Sequence, residues 1–454
     1  MSNTALRKIY SMLVEKLARI EIFYENKIQK QENVNKKFIT SCQDNLKEIK
    51  QELSTVYPVL KKTYEETPIS REEIDRAIAT YKKCLDKFLE LHSLSSHLPL
   101  DPIASETYIF LSDVLKIKKT FKEFDSRIVL LTQDFLTRNT HQCYTNLPFV
   151  SDIEKKPMAL YLPIIENCNP LYWPILLKNI FGNIEILKAS TKKYYEELIA
   201  PKVERDSERR KVTEKLAYQL TYDLFSMKLL GPAYYYLFVE LGVFRSIAES
   251  KIRYLPTLSI RERYLYKKLE KENLDSKTQS THDWFLTLSG LSDEMHSTLG
   301  FKIDISDIKD GIDELVKRVE EEANKVVSEN NAYKCNDFCV SLAGYERLKK
   351  GILIASSTVE ELNKCKEYCK EKVCSTNINE KSSKMQEIPN TPQQIINSGW
   401  MYSESLSDDI MYELIKNENL DYSPMINHIR STDTLLLNSV EKSRIFEILL
   451  NITE

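Results

Sequence analysis

Apolar side chains return every three or four positions along much of this chain. Cys42, Leu46, Ile49, Leu53, Val56 and Leu60 alternate steps of four and three. That spacing draws one stripe along a helix, the seam of a coiled coil or of a bundle helix. Leu6, Ile9, Leu13, Leu17 and Ile20 make a similar stripe behind a possible cap at Thr4, and so do Ile74, Ile78, Tyr81, Leu85 and Phe88. Val212, Leu216, Leu220, Leu224 and Met227 form another. Only 9 glycines occur in 454 residues, few for a sheet protein, whose turns lean on glycine. The expectation is an all-α fold: an elongated multi-helix bundle with a short coiled-coil-like N-terminal region.

Punctuation divides the chain into an N-terminal helical region over 1–139, a central α-helical domain over 159–374, and a C-terminal short helical segment over 395–454. The stretch 140–158 reads as a connection. "STNINEKSSKMQEIPNTPQQ" at 375–394 has no hydrophobic period and reads as a flexible linker. "SREE" at 70–73 and "STVE" at 357–360 read as capping boxes. Helices are expected from Ser105 to about Arg138, at 259–272, 281–299, 304–329, 333–351 and 358–374, with the last at 434–451. No internal repeat of fixed period is seen.

The most apolar stretch, "LLGPAYYYLFVELGVF" at 229–244, turns a corner. Gly231 ends one helix and Pro232 starts the next. The run is too short to span a bilayer, which takes ~20 apolar residues, and it carries Glu240. A helix apolar nearly all round belongs in a large core. Steps of 100° send Tyr234, Tyr235 and Tyr236 three ways, and each hydroxyl needs a partner. Glu240, one turn after Tyr236, is placed to accept one such bond. It reads chiefly as a carboxylate paired with Lys or Arg at the core's edge, and alternatively as a pocket acid.

Few motifs carry chemistry. Phosphate-cradling glycine loops, the nucleophile elbow, His-Glu-x-x-His and Glu-x-x-His are all missing. His282–Asp283 matches only the core pair of HD phosphohydrolases. Cys335 and Cys339, with Cys365 and Cys369, form twin pairs at helical i, i+4 spacing. They are weak candidates for a zinc site or a disulfide staple, and chiefly read as small core residues. This spacing resembles that of small mitochondrial intermembrane-space chaperones over a short part of the chain. No cofactor is expected.

Net charge is −3, which gives no global pull toward nucleic acid. The N-terminal fifty residues are nonetheless basic and the last fifty acidic. The N-terminus lacks a secretory h-region, and the 9 cysteines are an odd number; both suit reduced thiols in the cytoplasm or the nucleus. The functional expectation is a non-catalytic scaffold or adaptor, a subunit of an intracellular complex that binds other proteins through amphipathic helices. Leu46, Ile49, Leu53, Val56, Ile445, Leu449 and Leu450 are its candidate contacts. The alternatives are a helical enzyme built around Glu240, His282 and Asp283, or a binder of RNA, lipid or cytoskeleton through the basic N-terminal helices.

Overall fold

The computed structural model describes residues 3–29, 36–95, 98, 103–115, 128–133, 158–166, 168–182, 184–205, 207–248, 258–271, 305–327, 335–358, 361 and 387–453. The fold is all-α, a multi-helix assembly with two very small sheets. The N-terminal helices are α1 (Asn3–Gln29), α2 (Lys36–Ser54), α3 (Tyr57–Tyr64), α4 (Arg71–Ser95) and α5 (Glu106–Leu115). Next come α6 (Pro174–Phe181), α7 (Glu185–Leu198), α8 (Glu208–Leu230), α9 (Pro232–Ala248) and α10 (Leu258–Lys271). The series closes with α11 (Lys309–Val326), α12 (Cys335–Leu348), α13 (Pro392–Lys416) and α14 (Ser423–Thr453).

The heptad stripe is an internal seam that runs along α2 and across the break after Ser54 into α3, whose N-cap is Val56. Leu46, Ile49, Leu53 and Val56 are no more than 4% exposed, and α2 lies against α1 and α4. Ser70 and Glu73 close the expected box ahead of α4: each backbone N–H donates to the other's side chain, at 2.9 and 3.2 Å. The second box sits one residue later than the sequence suggested. Thr358 and Glu361 make the reciprocal bonds, at 2.8 and 3.2 Å, because Ser357 instead turns inward to bond Asn390.

Two expected helices need correction. The segment from Ser105 does not stay helical to 138: α5 ends at Leu115, and β1 (Ile128–Gln133) pairs in parallel with β2 (Met158–Pro163). "IVLLTQ" is a short continuous apolar run, which periodicity alone cannot assign to helix or strand. The linker expected over 375–394 is ordered at its end. There β4 (Glu387–Pro389) pairs antiparallel with β3 (Ser356–Thr358), and α13 starts at Pro392. Thr391 and Gln394 form a full capping box there, which puts Pro392 at its favoured first helical position. The last helix also starts at Ser423, well before 434. The helix expected at 281–299 lies outside the described residues.

One continuous core runs from Ala5 to Val440. In it α1 packs on α13 and α14, α13 on α3, α9 and α12, and α14 on α5. Charge explains part of this docking. Lys8 meets Glu404 at 3.1 Å, Arg19 meets Asp433 at 2.9 Å, and Arg430 meets Glu25 at 2.6 Å. Two of these pairs set an N-terminal cation on a C-terminal carboxylate, and the third sets a C-terminal Arg on an N-terminal one.

Candidate functional site

Helix α1 is covered on nearly every side along its middle turns, with the apolar face of Leu6, Ile9, Tyr10, Leu13, Val14, Leu17 and Ile20 buried and Ser11, Lys16 and Arg19 buried beside it. Its charged residues therefore have little open water to reach. Lys16 and Arg19 are 1% and 4% exposed. Burying a cation is costly unless anions and hydrogen bonds meet it, and distant parts of the chain supply them. The turn at Ile164–Glu166 brings Glu166, the next turn brings Asn169 and Tyr172, α9 brings Glu240, and α14 brings Asp433.

The Lys16 ammonium is the hub. Its Nζ lies 2.6 Å from Glu166 Oε1 and 2.6 Å from Glu240 Oε1, and 4.3 Å from the centre of the Tyr172 ring. The Tyr172 hydroxyl donates to the same Glu240 oxygen at 2.5 Å. Asn169 fixes the turn in two directions. Its amide donates to Glu166 Oε2 at 2.6 Å, and its Oδ1 accepts from the Leu171 backbone at 3.1 Å. Arg19 extends the network, with Nε 3.4 Å from Glu166 and 3.3 Å from Glu15, and its guanidinium tip on Asp433.

These surroundings divide the two inner acids. Burial pushes Glu166 up, but Lys16, Arg19 and the Asn169 amide outweigh it and hold this carboxyl below its ordinary range. At Glu240, burial and the neighbouring Glu15 and Glu166 outweigh Lys16, and the carboxyl is pushed up to about 7. Burial would lower the Lys16 ammonium, yet Glu166 and Glu240 raise it overall.

A second ionic centre sits on the other side of α9. Asp223 of α8 is fully buried. It accepts from Arg261 at 2.6 and 2.9 Å and from the Tyr234 hydroxyl at 2.6 Å, with Lys178 at 2.8 Å. Burial works against its ionised form, but Arg261 and Lys178 hold it well below the usual carboxylate range. Tyr235 donates to Glu262 at 2.6 Å, and Tyr236 stacks on Trp400 at 5.9 Å. The three tyrosines do fan out as their spacing predicts. The phenol on Glu240, however, is that of Tyr172 and not the neighbouring Tyr236. Gly231, at φ 56°, makes the corner before them, and Asn397 of α13 stitches it. Asn397 accepts from the Ala233 N–H at 2.7 Å and donates to the Leu230 carbonyl at 2.8 Å.

No family model, curated protein or solved structure matches this chain.

Of the residues singled out in the sequence, Glu240 enters the first centre as the partner of Lys16, and Tyr234 enters the second as a donor to Asp223. His282, Asp283, Cys365 and Cys369 lie outside the described residues. Cys335 and Cys339 fall on successive turns of α12, and their side chains also lie outside. Among the described residues no cluster of His, Cys, Asp and Glu has a metal-holding arrangement. No helix among them is long and apolar enough to cross a membrane. Leu46, Ile49, Leu53 and Val56 are covered by this chain's own helices, whereas Ile445 and Leu449, 50% and 54% exposed, lie on the outer face of α14; the side chain of Leu450 lies outside the described residues. Lys16, Arg19, Glu166, Tyr172 and Asp433 escaped the sequence reading. One signal was present: α1 has so wide an apolar face that its mid-helix charges had to be buried with it.

Proposed function

We propose that this chain is a non-catalytic helical scaffold or adaptor, binding other proteins through helix faces. One observation supports this reading most. The buried ionisable side chains clamp separate helices to one another, as Lys16 and Arg19 do across α1, α9, α14 and the 164–172 segment. Such networks fix relative helix positions, which is what a rigid platform requires. The exposed row Ile445, Ile448 and Leu449 on α14 follows i, i+3, i+4 spacing and suits a helix-mediated contact. The test is native capture of the full chain at physiological salt, followed by sizing. Stoichiometric protein partners, reduced by Ile445→Asp with Ile448→Asp, fit the proposal. A chain that runs at the mass of a single copy in native extract overturns it.

A second reading, a helical enzyme, draws on one observation: Glu240 sits near pH 7, where general acid–base groups work best. Against it, Glu240 is only 7% exposed and one of its oxygens is already held by Lys16 and Tyr172. A small molecule from a metabolite library that stabilises the protein but not its Glu240→Gln variant favours this reading. A library without such a hit removes it.

A further inference from the structure

The network around Lys16 does not balance. Among the described residues two cations, Lys16 and Arg19, face four carboxyls: Glu15, Glu166, Glu240 and Asp433. Their side chains are between 0% and 17% exposed, so water and salt screen the surplus of negative charge only weakly. Carboxyls crowded in this way relieve the repulsion by keeping a proton. Glu240 is the member best placed to hold it. Glu166 receives Lys16, Arg19 and the Asn169 amide. Asp433 receives the Arg19 tip, yet burial outweighs it and pushes this carboxyl up to about 6, still below Glu240. Among the described residues Glu240 receives Lys16 and a phenol, both on one oxygen.

We propose that this network is a proton-operated clasp: with Glu240 protonated it closes α1 onto α9 and the 164–172 segment, and loss of that proton loosens this contact first.

The place of the network in the fold makes a local response possible. α1, the 164–172 segment and α9 come from remote parts of the chain and meet at these side chains. The other ionisable groups around α9 are engaged elsewhere. Lys178 of α6, Asp223 of α8, and Arg261 and Glu262 of α10 surround Tyr234 and Tyr235. Glu404 of α13 pairs with Lys8 and also acts on Tyr236, and His92 of α4 packs on Phe88. His428 of α14 senses Glu15 and Arg19, and burial, its main influence, keeps its ring toward the neutral form. The sign follows from linkage. Glu240 binds its proton more tightly folded than unfolded, so its contribution is greatest in mild acid and is lost as pH rises through about 7.

The test compares the full chain with its Glu240→Gln variant, in which an amide replaces the protonated acid. Denaturant unfolding and hydrogen exchange, corrected for intrinsic rates, are followed from pH 6 to 8.5. In the parent chain the folded-to-unfolded ratio should fall about tenfold relative to the variant over this range. Exchange should rise in α1, α9 and 164–172 but not in α11 or α12. Difference infrared spectra should show a protonated-carboxyl band at pH 6 that the variant lacks. Parallel pH profiles for the two chains, or a parent spectrum without that band at pH 6, overturn the proposal. A variant as destabilised at pH 6 as at pH 8.5 also overturns it, since Glu240 would then act as a charged partner throughout.

Discussion

Lys16 shows how much one side chain can carry. Removing it leaves Glu166 and Glu240 facing each other without the ammonium between them. Breaking a buried pair from one side costs about 3–5 kcal/mol, since the abandoned charge stays desolvated. Lys16→Met should therefore lower the urea midpoint sharply at pH 7, and less at pH 5, where Glu240 is protonated. Asp223 gives the opposite pH signature. Its carboxyl is held below the usual range, so its contribution is full above the unfolded value, about 4, and is lost as pH falls toward the folded one. Asp223→Asn should be much less stable than the parent at pH 7, and the gap between their unfolding midpoints should narrow below pH 4. Neither centre was legible as a network. A sequence shows that Tyr234 to Tyr236 must point three ways, but not which distant acid each hydroxyl meets. The charge on Lys16 likewise gives no hint of Glu240, which lies far along the chain.

At the scale of elements, local chemistry was readable wherever it stayed local. The Ser70–Glu73 box and the Gly231–Pro232 corner involve neighbours, and both formed as their residues dictate. The heptad stripe of α2 correctly marked a buried seam, though the spacing did not say that α1 and α4 would cover it. What failed was the assignment of short apolar or polar runs. β1 exists because β2 pairs with it, and the polar stretch before α13 contains a strand that β3 completes. Such pairings are decided by remote residues. Thr391 offers a clean check on the corrected boundary. Its hydroxyl accepts from the Gln394 N–H at 3.3 Å, and its own N–H donates to the Gln394 side chain at 2.8 Å. Thr391→Ala should cost about 1 kcal/mol, measured by denaturant unfolding, with no change of fold by circular dichroism. If 387–394 were a loose linker, the substitution would have no effect.

For the whole molecule, the described residues of the last sixty pack into the common core. Trp400 is 3% exposed and donates to the Leu171 carbonyl at 3.1 Å. Leu436 and Val440 are fully buried. Gly399 lets α13 approach α14 so closely that an added methyl would lie 2.6 Å from Leu436. Deleting 395–454 should abolish cooperative unfolding, which calorimetry would show as loss of the main transition. A sharp transition in the truncated chain would restore the view of a separate C-terminal unit. The pairing of cations of the first helix with carboxylates of the last two also bears on partner choice. The cations Lys8, Lys16 and Arg19 face carboxylates of the same chain, which leaves them poorly placed to meet phosphate.

The union of Arg19 with Asp433 spans 414 positions, and that distance has a consequence during synthesis. At ~5–20 residues per second, α14 leaves the ribosome roughly 20–80 s after α1. Throughout that interval the first helix lacks its last apolar neighbours and the carboxylates of Glu404 and Asp433. A newborn chain therefore presents a sticky, cationic helix to everything around it, and it depends on late arrivals to hide it. Slow or interrupted translation upstream of α13 would release chains in just that exposed state.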